Sequence, residues 1–203
     1  MEAVEQVERF SDRLEAWLRG PEPRTLGGLV DTFEEKSFAV LFVMLLAVAA
    51  LPLPTGGVTH VFETVAMLLA LELVAGRREV WLPARLRGRD LGAAARQRFR
   101  EVLLKRIRWL ESRSRPRPGA LLSYRLSGVV YGLVVLSLSL TAFLAPPFTG
   151  LDTLPAMGVV VISLGILLED SLIVLAGALV GALGVFLVVG VGRLVVDAIG
   201  ALL

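Results

Sequence analysis

The chain has 203 residues, 55% of them hydrophobic, no cysteine and a formal net charge of +2, with a mean hydropathy of +0.73. That composition is far from a soluble domain and points to an integral membrane protein, while the lack of cysteine excludes disulfides, thiolate metal sites and cysteine nucleophiles. The charge is segregated: residues 37–76 and 126–192 hold no Lys or Arg, the first 36 residues hold nine acids and five bases, and residues 77–125 hold fifteen Lys/Arg against four acids.

In chain order, residues 3–18 place Ala3, Val7, Phe10, Leu14 and Trp17 on one helical stripe. Glu5–Arg9 and Glu15–Arg19 stand at i,i+4 spacing on the wetter side. An amphipathic helix on the cytoplasmic face is expected, ended by Gly20-Pro21, with a flexible stretch following as far as Gly28. The charged N-terminus does not have the pattern of a signal peptide.

Five apolar runs follow, at 37–51, 58–75, 126–145, 154–168 and 172–191. A membrane span needs about 20 residues, so the first and fourth, at 15 residues each, are short. The first two are separated by Pro52, Pro54, Gly56 and Gly57, the third and fourth by Pro146, Pro147 and Gly150. These broken units lie about 93 residues apart: overlaid without gaps, Leu51, Pro54, Gly57 and Leu71 fall on Leu144, Pro147, Gly150 and Leu164. Duplicated, interrupted hydrophobic segments are a pointer to a binding site in small transporters. Each unit reads either as two spans joined by a tight turn or as a hairpin whose tip stops inside the bilayer, where its backbone must be covered by protein or water.

The basic block fixes the expected orientation, since Lys/Arg flanking membrane segments stay cytoplasmic. Residues 92–111 are expected to form a second amphipathic helix in the headgroup plane, attracting anionic lipid, and residues 112–119 a linker. Trp17, Trp81 and Trp109 all fall outside the apolar runs, as an interfacial belt requires. A cysteine introduced at position 105 should therefore resist labelling from outside. The expected divisions are 1–24 (cytoplasmic helix), 25–76 (first unit), 77–125 (basic linker), 126–170 (second unit) and 171–203 (fifth span and tail), in an all-α membrane protein.

Ionisable residues within apolar spans are candidate functional groups. His60 and Glu63 share a face just past the first break; Glu72, nine residues on, turns to the other side. The bland readings are a carboxylate favoured by a helix N-terminus for Glu63, snorkelling or an ion pair at the cytoplasmic boundary, one turn before Arg77, for Glu72, and a helix cap for Asp152. The sharper reading makes Thr55, Thr59, Thr149 and Asp152 oxygen ligands for a small cation, with His60 and Glu63 as protonatable partners. Gly177 and Gly181 form a G-x-x-x-G pattern suited to close helix contact, within the chain or in a homodimer. Glu169-Asp170-Ser171 reads as the turn and cap before the fifth span, and Arg193 and Asp197 mark its far end.

Several landmarks together resemble the ExoD family: Leu51-Pro52-Leu53-Pro54 with Gly56-Gly57, Gly76-Arg77-Arg78 with Trp81-Leu82-Pro83-Ala84-Arg85-Leu86, Arg108-Trp109-Leu110-Glu111 with Arg115-Pro116-Arg117, and Leu154-Pro155-Ala156 with Leu164-Gly165 and Leu168-Glu169-Asp170. The resemblance implies a membrane protein linked to exopolysaccharide production and to tolerance of alkaline conditions. Two positions depart from the family's pattern: Glu72 stands where an amide is commoner, and Asp152 where Asn is.

No hydrolase triad, zinc-protease or phosphate-loop pattern is present, and His60-x-x-Glu63 alone is too few ligands for zinc. The expected protein is not an enzyme and carries no metal or cofactor. It is a small inner-membrane transporter of a monovalent cation, proton or small solute. Its partners are anionic lipid and a second copy of itself, and no nucleic acid. The alternative is a non-transporting accessory of the exopolysaccharide machinery.

Overall fold

The computed structural model describes residues 9–20, 25–50, 58–88, 97–115, 125–145 and 149–200. These form nine helices and no strand. They are α1 (Phe10–Arg19), α2 (Leu26–Phe33), α3 (Ser37–Ala50), α4 (Val58–Val74), α5 (Ala84–Arg87), α6 (Gln97–Glu111), α7 (Arg125–Leu144), α8 (Thr153–Leu167) and α9 (Ser171–Gly200). The five apolar runs thus become α3, α4, α7, α8 and α9, with boundaries within two residues of expectation except at the C-terminal end of α9, which runs on to Gly200.

The stretch between Gly20 and Gly28 is not wholly a flexible connection. Helix α2 starts at Leu26, because the Thr25 hydroxyl accepts from the Gly28 N–H and so caps an otherwise unsatisfied helix end. A single 3₁₀ turn, Glu34–Lys36, then leads into α3.

Helix α3 lies at the centre. From Ser37 to Ala49 every residue is buried, the pattern of a helix apolar on all sides and surrounded by protein. It packs chiefly on α8, and also on α4 and α2. The other large contacts are α4 with α7 and α8 with α9. Helices α4, α7 and α9 turn apolar side chains outward: Leu68 and Leu71, Leu133 and Leu140, Leu179 and Phe186 are all substantially exposed. By length and composition, α9 is the one helix among the described residues able to cross a membrane, over Ser171–Leu194.

Glycine lets α8 and α9 meet backbone to backbone. A methyl group added at Gly158 would sit 2.5 Å from the Gly181 Cα, and one at Gly177 would sit 2.6 Å from the Ile162 nitrogen. The G-x-x-x-G pattern is therefore used in a contact inside the chain. Gly132 similarly brings α7 onto α4, with a Cβ there falling 2.8 Å from the Leu73 Cβ.

Helices α4 and α8 end in the same way. The Gly76 N–H returns to Leu73 O and the Arg77 N–H to Glu72 O, with Gly76 left-handed at φ +80°. At the end of α8, Glu169 N–H returns to Ile166 O and Asp170 N–H to Gly165 O, with Glu169 left-handed at φ +54°. Both use a left-handed residue to satisfy the last carbonyls. Asp170 then caps α9 through Leu172 N–H at 3.0 Å and holds the Ser114 hydroxyl and Arg115 N–H as well. This is the expected cap before the fifth span.

The charged segments collect at this end. Glu111 accepts from the Ser11 backbone N–H and hydroxyl, Arg108 pairs with Glu15 and Asp12, and Arg19 pairs with Glu15 at 2.5 Å. Arg87 meets Asp31 at 2.6 Å, and Lys36 meets Glu169 at 3.3 Å. Helix α6 buries Leu103, Leu104 and Ile107 against the core. Arg193 and Asp197, at the opposite end of α9, make no ion pair with each other.

Candidate functional site

At the other end, the start of α4 meets the end of α7 and the start of α8. His60 Nδ1 lies 2.8 Å from Glu63 Oε2 across one helical turn. The imidazole meets the ring of Phe143 edge-on, with centroids 5.3 Å apart. Glu63 is completely buried, and its second oxygen, Oε1, has no hydrogen-bond partner among the described residues. A buried carboxylate with one open oxygen is costly to keep unless something else meets it.

Helix α7 supplies a second open group. The Ser139 hydroxyl is buried and has no hydrogen-bond partner among the described residues. Gly132 lies against Leu73 and Phe143 against His60, which fixes an antiparallel register. That register sets Ser139 within about one turn of Glu63 along the pair of helices. Gly132, Ser139 and Phe143 share one face of α7, and Glu63, Ala70 and Leu73 share one face of α4, by helical spacing. The contrast is Tyr131, whose hydroxyl donates to Ser163 Oγ at 2.8 Å while Ser163 donates to Val159 O, so that both are satisfied.

Asp152, just before α8, lies near enough for its charge to act on Glu63. It occupies the position preceding the helix, yet its side chain makes no capping bond and its backbone is already helical. The cap reading of Asp152 is therefore wrong, and its carboxylate is left for other work. Thr59 is buried beside this cluster on the first turn of α4. Thr149 is exposed at the second tip and accepts from the Leu151 N–H at 3.4 Å, outside the buried group. Gly150 makes that turn with φ +70°, a conformation that suits glycine. Thr55, Pro52, Pro54, Gly56, Gly57, Pro146 and Pro147 lie outside the described residues.

Glu72 does not join this cluster. It sits at the far end of α4, where Oε2 accepts the Trp81 N–H at 2.8 Å. The expected ion pair with Arg77 is absent; Arg77 instead stands over the Trp81 ring at 5.7 Å. Ser139 and Phe143 were missed in the sequence because a serine or phenylalanine in an apolar run gives no signal until the facing helix is known. No group of three or more His, Asp or Glu suited to a metal ion occurs among the described residues.

The sequence matches the family described as "Exopolysaccharide synthesis, ExoD" over residues 10–190. The chain belongs to the ExoD family. It is 31% identical over 171 residues to an uncharacterized protein of Synechocystis sp., a match covering 84% of this chain and 79% of that one. No solved structure matches the chain. The family match takes in His60 and Glu63 as well as the segment from Gly76 to Leu86, which folds back onto Glu72 through the Trp81 N–H.

Proposed function

We propose that this ExoD protein is a multi-pass membrane transporter that binds a small cation, a proton or a comparably small polar solute at the junction of its two broken units. The observation that carries the reading is the buried Glu63 carboxylate with an open oxygen, facing a helix that brings an equally open hydroxyl, Ser139. Oxygen groups of this kind suit hard cations and protons better than soft metals. Intramembrane acids facing protein are rare and mark solute or proton pathways.

The packing supports the repeat. Under the 93-residue overlay α3 corresponds to α7 and α4 to α8, and the two large cross-contacts, α3 with α8 and α7 with α4, are counterparts of each other. The left-handed ends at Gly76 and Glu169 fall on the same overlay. Outward-facing leucines on α4, α7 and α9 support a lipid-facing belt, because a patch of that extent is unfavourable in water. The gathered Lys/Arg at the opposite end from the site support a cytoplasmic placement of that end.

The hairpin reading gains over full spans. Pro155, near the start of α8, lies against Gly184 of α9. The apolar stretch of α9 runs on to Leu194, ten residues further, or ~15 Å at the helical rise. The first turn of α8, at Pro155, therefore lies short of the level at which α9 leaves its apolar stretch, which favours a re-entrant hairpin. If a homodimer forms, it uses the outer face of α9 or α7 rather than the glycines.

Transport is tested by reconstituting the purified protein in liposomes and recording internal pH and cation content under an imposed Na⁺ or K⁺ gradient. Flux above protein-free vesicles supports the reading. Absence of flux for every small cation and for protons removes it in favour of an accessory role through the basic face.

A further inference from the structure

The segment that resembles the family most specifically, Gly76-Arg77-Arg78 to Leu86, plays no part in the junction of the two units. It turns back along the outer side of α4, pinned by the Trp81 N–H on Glu72, and encloses a groove of about 390 Å³. The floor is apolar, with Val65, Leu68 and Leu71 from α4 facing Leu82 and Leu86. Glu72 and the exposed Arg77 and Trp81 complete the lining and give the groove its polar end.

Three features bear on what fills it. Along α4 the lining runs from Val65 to Ala75, ~15 Å at the helical rise, or half of a ~30 Å hydrocarbon core. Even the whole empty space of about 830 Å³, which includes open solvent, gives a cross-section of roughly 55 Å² over that length, below the about 80–110 Å² of a helix ~10–12 Å in diameter. An extended chain fits and a partner helix does not. The third feature is charge. Arg19, Lys36, Arg87 and Arg108 are all in ion pairs. Arg77, Arg78 and Arg85, all exposed, have none among the described residues, with one exposed acid, Glu79, nearby in the segment.

We infer that the groove between α4 and the 77–86 segment binds one anionic phospholipid of the adjoining leaflet, its acyl chain over Leu68 and Leu71 and its phosphate at Arg77. The inference depends on the membrane placement but not on transport, so either can fail alone. Glu72 acts here by holding the returning strand of backbone, which makes it a positioning residue for the polar end.

The test uses the full chain in detergent, titrated with phosphatidylglycerol or phosphatidylcholine and read by native mass spectrometry, with thermal unfolding as a check of folding. A one-to-one adduct should form with phosphatidylglycerol in at least tenfold preference. Arg77→Gln should lower that preference about fivefold, the weight of one basic residue at a membrane surface. Leu68→Trp, which fills the floor, should remove the adduct while the protein stays folded. Equal binding of the two lipids, or an adduct that survives Leu68→Trp, would overturn the inference. So would equally strong binding of glycerophosphoglycerol, which has the head but no chains, or loss of a dimer on Leu68→Trp, which would assign the groove to a second copy.

Discussion

The ring of Phe143 meets the imidazole of His60 edge-on with 5.3 Å between centroids, tying the end of α7 to the beginning of α4. The two residues belong to different broken units of the sequence. Contact between them sets the buried Glu63 where the units meet. Aromatic pairs of this geometry contribute about 0.5–1.5 kcal/mol beyond the area they bury, and His60 is placed by Phe143 and Glu63 together. Phe143→Ala should loosen His60 and reduce any His60-dependent transport, while Phe143→Tyr, which keeps the ring, should retain it. Flux measured on both variants checks this.

The glycine contact between α8 and α9 gives a stability prediction. Gly158→Leu must force the two helices apart, since even a methyl group there meets Gly181 at 2.5 Å. The expected loss is about 1–3 kcal/mol or more, the usual range for overpacking. Gly190 has nothing within 4 Å of its would-be Cβ, so Gly190→Ala should be neutral or stabilising by up to about 1 kcal/mol through helix propensity. Thermal unfolding of the two variants in detergent separates these outcomes.

Asp170 joins three elements through one carboxylate, accepting from Leu172, Ser114 and Arg115. Asp170→Ala removes the cap of α9 and the ties to Ser114 and Arg115, whose donors are at most part-buried and can turn to water, at an expected cost of about 0.5–2 kcal/mol. Limited proteolysis between residues 112 and 119 should become faster than in the native chain. Unchanged cleavage would show that the tie does not hold that segment.

The Ser139 hydroxyl makes no hydrogen bond among the described residues, so its deletion has opposite consequences for stability and function. Ser139→Ala should unfold at the native temperature or slightly above, since an unmatched buried hydroxyl is removed. Its flux should nonetheless fall, and Ser139→Thr, which restores a hydroxyl, should recover part of it. A Ser139→Ala protein with native flux would place the hydroxyl outside the pathway.

Much of the scaffold was legible in the sequence. All five apolar runs became helices because each is long, apolar and bounded by Pro/Gly breaks or charged segments, and Asp170 at the cap followed from local chemistry. Helix α2 was not legible, since Gly27 and Gly28 suggest a flexible connection and only the Thr25 cap and burial against α3 override them. Glu72 and Glu63 look alike as acids in one apolar run; the backbone of Trp81, brought back by a turn at Gly76, takes the first and leaves the second. Asp152 reads as a cap by composition, but its own backbone is already helical and its side chain makes no capping bond. Partners across helices, such as Ser139 and Phe143, depend on register, which a single apolar sequence does not state.

The most direct measurement of the central claim compares flux through Glu63→Gln and Glu72→Gln proteins in the same liposomes. Gln is nearly isosteric with Glu and keeps a hydrogen bond to His60 or to Trp81, so both should fold. The account predicts that Glu63→Gln transports at least tenfold more slowly than the native chain while Glu72→Gln stays within about twofold, the tenfold step matching ~1.4 kcal/mol. Native flux in Glu63→Gln, or an equal loss in both variants, would contradict it.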